Sequence, residues 1–391
     1  MTKMAKAYLY PGVYIEEVKG APGPITGAGT STAAFIGPTG AGPTEPKLVF
    51  KWADYVREFG EEDADGNKQG IRNANDRMGF ALYTFFLNGG GAAYIVRADN
   101  DAAYKGALDS LLTIRDVSII CLPGRTSARD QGVIALAVEH AEKMQNRMVI
   151  VDPEPGIKLE TEGDVANLQL PSSEFSVTYY PWVKVANPFH DSGDPTSPET
   201  LEIAPSSFAA GMWAKIDTRR GVWKAPAGLE TSLLGIADVV DSIDDDRQGQ
   251  LNPISINCIR KMPGAGPVIW GARTLSYKTK NEWLYVPVRR TANMIRESVY
   301  NSIQWAVFEP NNHILWASLN ASIGAFMNTL WRAGAFQGES ASEAYFVRCG
   351  LGVTMEQVDI DRGEVIVEVG FAPLKPAEFV IVRLQQKVAQ Q

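Results

Sequence analysis

Between Ser31 and Pro153, short apolar runs of strand character alternate with segments of helical periodicity. No other feature narrows the available folds as much. STAAFIG (31–37) and KLVF (47–50) read as strands, and WADYVREFG (52–60) as a helix closed by Gly60. The polar, glycine-containing run 61–72 reads as a surface loop. Next, Met78, Leu82, Phe85 and Phe86 recur at helical spacing and stop at the glycines 89–91. AAYIVRA, VSIICLPG and RMVIVDP are strand patterns, separated by the helical AAYKGALDSLLTI and ARDQGVIALAVEHAEKM. Strands alternating with helices of this length require crossover connections and hence a mainly parallel sheet. The unbroken apolar runs VSIIC and MVIV fit strands covered on both faces. The fold class is therefore α/β, with a mixed, mostly parallel sheet.

The texture changes between Glu154 and Pro205, where Pro, Ser, Asp and Thr dominate. This stretch, about 155–205, reads as a surface excursion with one strand at Val177–Val185. PSSFAAGMWAKID is helical, with Ser206 or Ser207 as its cap. Asp244, Asp245 and Asp246 open another helix. ISINCIR, the glycine turn PGAGP and VIWG then form strand, turn, strand. From Trp283 a further α/β unit begins: WLYVPV as a strand, RRTANMIRESVYNSIQWAV as a helix, FEPNN as a turn, and a long helix ending near Gly334. In that helix Leu315, Leu319, Ile323, Phe326, Met327 and Leu330 make a broad apolar stripe, read as core. VIVEVGFAP and EFVIVRLQQ are late strands separated by LKPA.

The ends of the chain differ from its body. From Tyr8 to Val18 the residues favour a pleated conformation, and Pro22, Gly23, Pro24, Gly27 and Gly29 then break it. About eleven extended residues reach roughly 36 Å. A terminal strand on such a tether suits addition to a neighbour's sheet edge. The candidate donated residues are Val13, Tyr14, Ile15, Glu16, Glu17 and Val18. At the other end, Phe379, Val380, Ile381, Val382, Arg383 and Leu384 alternate on two faces, so a second donated strand is expected there.

A net charge of −8 and the lack of a Lys/Arg-rich tract argue against a nucleic-acid partner. No apolar run approaches the ~18 residues of a membrane span, and no charged-then-apolar leader follows Met1. Synthesis and assembly in the cytoplasm are expected. Cys121, Cys258 and Cys349 are odd in number and far apart, so they read as buried thiols. GxxxxGK[ST], HExxH and GxSxG do not occur. Consecutive carboxylates at 244–246 cannot all converge on one ion and read as a solvated helix start. The sequence predicts no catalytic residue, metal or cofactor, and hence no enzyme.

YPGVYIEE followed by GTSTAAFIGPT resembles the N-terminus of contractile-tail sheath proteins of phages, R-type pyocins and extracellular contractile injection systems. DTRRGVWKAPAG (217–228), LNPISINCIRKMPGAGPVIWGARTLS (251–276) with Trp270 and Arg273, YVPVRRTANMIRESVYNSIQWAVFEPNN with Glu309-Pro310-Asn311, LWRAGAFQG and VGFAPLKPAEFVIVRL resemble the same family in the same order. The resemblance implies an N-terminal arm (1–25), a subtilisin-like sheath domain without catalytic residues (26–277), a C-terminal tube-facing domain (278–373) and a C-terminal arm (374–391). It further implies stacked hexameric rings around an inner tube, linked by exchanged strands, with baseplate and terminal cap proteins as further partners. Such a lattice is assembled in bacteria and contracts without nucleotide. In this family the helix equivalent to 313–333 often grips the tube with basic residues. Here its polar positions include Asn320, Asn328 and Arg332, the candidate tube contacts, and only Arg332 is charged. The alternatives are an α/β enzyme of unknown substrate, since fold does not fix function, and a cap or baseplate-proximal sheath paralogue.

Overall fold

A computed structural model describes residues 23–279 and 282–379. The elements, in order, begin with β1 (Thr32–Gly37), β2 (Lys47–Val49), α1 (Trp52–Phe59), the short hairpin β3 (Glu61–Glu62) and β4 (Lys68–Gln69), α2 (Arg77–Leu87) and β5 (Ala92–Arg97). They continue with α3 (Asp101–Ser110), β6 (Ile119–Thr126), α4 (Gln131–Met144), β7 (Met148–Asp152), α5 (Glu162–Asn167), β8 (Ser176–Tyr180), β9 (Val183–Ala186) and β10 (Thr200–Ile203). Then come α6 (Ser206–Arg220), β11 (Asp238–Val239), α7 (Asp245–Leu251), β12 (Ile256–Met262), β13 (Gly266–Trp270), α8 (Val286–Ser302) and α9 (His313–Arg332). The last are α10 (Ala341–Ala344), β14 (Tyr345–Arg348), α11 (Gln357–Asp361) and β15 (Glu368–Phe371).

The main sheet has eight strands in the order β13-β12-β8-β7-β6-β1-β5-β2. Its inner pairings are parallel, and only the edge strands β13 and β2 run antiparallel to their neighbours. Strand periodicity sorts side chains onto two faces. On β1, Ala33 and Phe35 join one core while Ala34 and Ile36 join the other. On β7, Met148 and Ile150 separate from Val149 and Val151 in the same way. One face is covered by α2 and α6, with Phe85, Phe208 and Trp213 packed against it; the other by α3 and α4. The two helices of the first face approach closely because Gly211 lacks a side chain: a Cβ there would lie 2.5 Å from the Phe85 carbonyl oxygen. All three cysteines are buried and unpaired, as the sequence reading expected.

Several local expectations are corrected. The strand assigned to 177–185 is two strands in different sheets, with Pro181 between them. β8 is fully buried in the main sheet between β7 and β12, so the region 155–205 is not wholly an excursion. β9 and β10, joined by β11, form a separate three-stranded sheet. WLYVPV is not a strand. Val286 starts α8, Pro287 sits in its first turn, and only Tyr285 makes an isolated bridge, to Arg273. The segment 61–72 is a hairpin. β14 had no sequence signal strong enough to register, being a four-residue strand paired only with β15.

Neither Ser206 nor Ser207 caps α6 with its side chain. Pro205 occupies the cap position, and Asp152, at the end of β7, accepts from Ser206 N–H (3.0 Å) and Ser206 Oγ (2.6 Å). Burial pushes the Asp152 carboxyl up to about 7 even though both Ser206 donors pull it down.

α8 joins the two halves of the molecule. Arg289, Arg290, Asn293 and Glu297 share a helical face turned to the α/β domain. Glu297 accepts from Arg115 (2.8 and 2.6 Å) and from Asn146 (3.0 Å). Arg289 donates to Glu174 (2.8 Å) and stacks over Trp283 at 4.0 Å. Arg290 and Asp217 of α6 form a two-pronged pair (2.9 and 2.6 Å), with side chains 3% and 4% exposed, and the guanidinium lies 4.4 Å over the Trp213 ring. From α8, Met294 and Ile295 turn to a separate core with Ile323, Phe326, Met327 and Leu330 of α9, Phe336, and the flanking β14–β15 sheet.

Two stability predictions follow from these buried charges. Asp152 is raised on folding, so its contribution is intact below its unfolded value near 3.8 and is lost as pH rises through about 7. His140, pushed down to about 4 chiefly by burial, slopes oppositely, so the test is a difference. Asp152→Asn should match wild type in urea melts near pH 4 and gain progressively, by on the order of 4 kcal/mol at pH 7.5; a pH-independent difference would refute the assignment. Asp217→Ala leaves Arg290 buried without its carboxylate and should cost about 3–5 kcal/mol in the same assay, whereas Arg290→Met/Asp217→Leu should recover much of that loss.

Candidate assembly interface

Of the candidate strand-donation residues, Val13–Val18 and Val380–Leu384 lie outside the described residues, and Phe379 lies at their edge with 74% of its surface exposed. What the structure does define is how the segments adjoining those residues are held.

At the N-terminal side, Gly23–Ser31 is irregular and tied down stepwise. Ile25 packs against the α8–α9 core. Ala28 N–H donates to Ser298 Oγ on α8 (2.8 Å). Thr30 Oγ1 donates to Asp217 (2.6 Å), while its carbonyl accepts from Arg290 (2.8 Å) and Ser118 Oγ (2.5 Å). The buried Arg290–Asp217 pair therefore holds both α6 to α8 and the tether to the pair. Backbone groups that a Pro/Gly tether cannot pair within itself find partners here.

At the C-terminal side the chain leaves β15, Phe336 bridges Pro373, and Leu374–Phe379 cross to the α/β domain. There Glu378 meets Arg273: Nε donates to Oε1 at 3.0 Å and Nη2 donates to Oε2. Tyr285 Oη lies 3.5 Å from the same carboxylate. This segment walls a groove of about 810 Å³, whose other walls include Trp223, Lys224, Arg260 and Trp270. Trp270 and Arg273 thus lie beside the segment 374–379; Glu378 as the partner of Arg273 had no signal in the sequence.

On α9 the apolar stripe is core, with all six of its residues buried. Asn320 donates to the Cys349 carbonyl (3.0 Å) and Asn328 to Tyr345 Oη (3.1 Å). Both amides therefore fasten α9 to the β14 region beside it, and of the three candidate tube contacts Arg332 is exposed while Asn320 and Asn328 are half-buried. The outward ridge that the sequence reading overlooked is Ala317, Ala321, Ala325 and Thr329, at steps of four residues. Among the described residues, no three His, Cys, Asp or Glu side chains are placed to hold a metal, and no helix is long and apolar enough to cross a membrane. Asp244 caps α7 by accepting from Arg247 N–H (2.8 Å), as a solvated helix start should.

Family models described as the phage tail sheath protein central domain and the phage tail sheath C-terminal domain match residues 99–275 and 278–387. A putative prophage major tail sheath protein of Pseudomonas aeruginosa is 30% identical over 134 residues, 33% of this chain and 34% of that protein. The tail sheath protein of Vibrio phage KVP40 is 23% identical over 44% of this chain and 24% of that protein. The chain thus matches only about a third and a quarter of these curated relatives' lengths. Among solved structures, the sheath complex of the PVC extracellular contractile injection system in its contracted state is similar with a TM-score of 0.79 and 29% identity, over 98% of this chain and 99% of that one. The contracted helical sheath of the anti-feeding prophage gives 0.78 and 28%, over 97% and 100%. A sheath tail protein of Listeria innocua, at 0.59 and 10% identity, shares the fold. The chain belongs to the phage tail sheath family.

Proposed function

We propose that this protein is the structural subunit of a contractile sheath, stacked as hexameric rings around an inner tube and shortening to drive that tube through a target envelope. The observation that carries the reading is the likeness to the contracted PVC sheath over 98% of the chain at 29% identity. Baseplate and terminal cap proteins are the further partners, and assembly takes place in the bacterial cytoplasm before any release of the particle. Within the subunit, 1–25 and 374–391 act as arms, 26–277 as the sheath domain and 278–373 as the tube-facing domain. Residues 13–18 and 379–384 pair with other copies. α9 meets the tube on the face that carries Arg332, with Asn320 and Asn328 as the other candidate contacts, rather than through a basic stripe. A baseplate-proximal role is the second reading, favoured by a TM-score of 0.77 to a chain of the anti-feeding prophage baseplate.

The subunit works as a lattice element, not as an enzyme. Strands exchanged between copies keep their main-chain hydrogen bonds while subunits shift, so the lattice can change shape without dissociating. The work is stored as a metastable packing and released as a rigid-body or shear transition. Purified protein examined by negative-stain microscopy should show tubes of stacked rings. Deleting residues 1–20 should leave a folded monomer that forms none, and normal tubes from that truncation would end the strand-donation reading. Intact particles heated in chelator and apyrase should contract in a single irreversible step, with the contracted form the more heat-resistant. A nucleotide requirement, or return to the extended form on cooling, would refute the mechanism.

A further inference from the structure

Arg147 is fully buried just before β7, and among the described residues its hydrogen bonds go to neutral groups. Nε donates to Asn146 Oδ1 (2.9 Å) and Nη2 to the Ile114 carbonyl (2.8 Å). Nη1 donates to the Leu111 carbonyl (3.2 Å) and to His140 Nε2 of α4 (3.1 Å). A guanidinium has donors only, so that ring nitrogen must accept, and the histidine is neutral with its proton on Nδ1. Burial lowers Arg147 only to about 10, so it stays charged throughout the acid range.

From this buried pair the contacts run on to the junction between the two cores. Leu111 and Ile114 belong to the turn between α3 and β6. The same turn carries Arg115, whose guanidinium clasps Glu297 of α8 (2.8 and 2.6 Å) and stacks 3.8 Å over the Tyr300 ring. Asn146, oriented by Arg147, donates to the Arg115 carbonyl and to Glu297 Oε2 (both 3.0 Å). Arg147 therefore braces both groups that hold Glu297. The charged groups facing His140 are Arg147 and Lys143, which oppose its protonation, and Asp109 of α3, which favours it and is itself paired with Lys105 at 2.8 Å. Arg115 and Asp116 of the turn and Glu297 of α8 face Arg147.

We propose that His140 is a proton-operated latch on this junction. Neutral, it anchors Arg147 beneath the 111–116 turn; protonated, it sets two cations against each other and lets the turn go, so that Arg115 and Asn146 release Glu297. The latch belongs to the single subunit and goes beyond the sheath reading: it loosens α8 in acid whatever the subunit assembles into. Burial first, and then Arg147, hold the ring down to about 4. The stabilisation is therefore complete above the unfolded value of 6.5 and is lost progressively as pH falls through about 4. Opening that frees the ring should become up to about tenfold easier per pH unit in that window, roughly 300-fold in all.

The test is hydrogen exchange, read by mass spectrometry on full-length wild type and His140→Gln between about pH 4 and 7.5, with rates corrected for their intrinsic pH dependence. The glutamine keeps an acceptor for Arg147 that does not titrate. In wild type, peptides covering 111–118 and 289–298 should lose protection as pH falls below about 6.5, and should open before those of β1. His140→Gln should lack that part of the slope. The difference should approach about one decade per pH unit, with the contributions of other titrating groups such as Asp152 cancelled. A second reading needs no variant: in NMR of histidine-labelled wild type at about pH 5.5, the His140 ring should be neutral with its proton on Nδ1. Equal slopes in the two proteins, junction amides that exchange only together with those of β1, or a charged His140 ring at that pH would each overturn the proposal.

Discussion

The subunit depends on one buried ion pair. Arg290 and Asp217 lie between α8 and α6 with almost no exposure, and taking two charges out of water is favourable only when geometry and surrounding hydrogen bonds compensate. Here the compensation is dense: two parallel N–H···O contacts, the Thr30 hydroxyl and carbonyl, and the Trp213 face. Because those partners come from the central helix, the linking helix and the N-terminal tether, none of the three can move far without exposing an uncompensated charge. The Glu297 and Arg289 networks repeat the logic along the same face of α8. The contact between the two cores therefore combines these polar networks with apolar packing, Val222 and Trp223 joining the α8–α9 core and Val286 the core of the main sheet.

Arginine–carboxylate forks also mark both ends of the described body. The segment 23–31 is held at Arg290–Asp217 and the segment 374–379 at Arg273–Glu378. By contrast, the outward ridge of α9 is nearly uncharged, with Asn320 and Asn328 turned to the β14 region.

Much of this fold was legible because it follows from local pattern. The alternation from β1 to β7 and the apolar stripe of α9 rest on periodicities that tertiary context did not override. The errors have equally physical origins. Val177–Val185 looked like one strand because both halves are apolar, yet they belong to different sheets. WLYVPV has strand composition, but Pro287 suits the first turn of a helix as well, and packing at Val286 decided. Ser206 looked like a cap because capping is usually local, whereas here the acceptor arrives from Asp152, far away in sequence.

The sequence by itself determined the α/β class, the buried cysteines, the lack of recognisable catalytic motifs and the family, since these reside in periodicity, composition and ordered local motifs. Tertiary structure alone decided which charges meet. Arg290 with Asp217, Arg115 with Glu297 and Arg273 with Glu378 are separated by 73, 182 and 105 residues. No local preference links such positions; only the packing of α8 and of the segment 374–379 brings each carboxylate to its arginine, and only for Arg290 and Asp217 does it exclude nearly all the water that would otherwise solvate both.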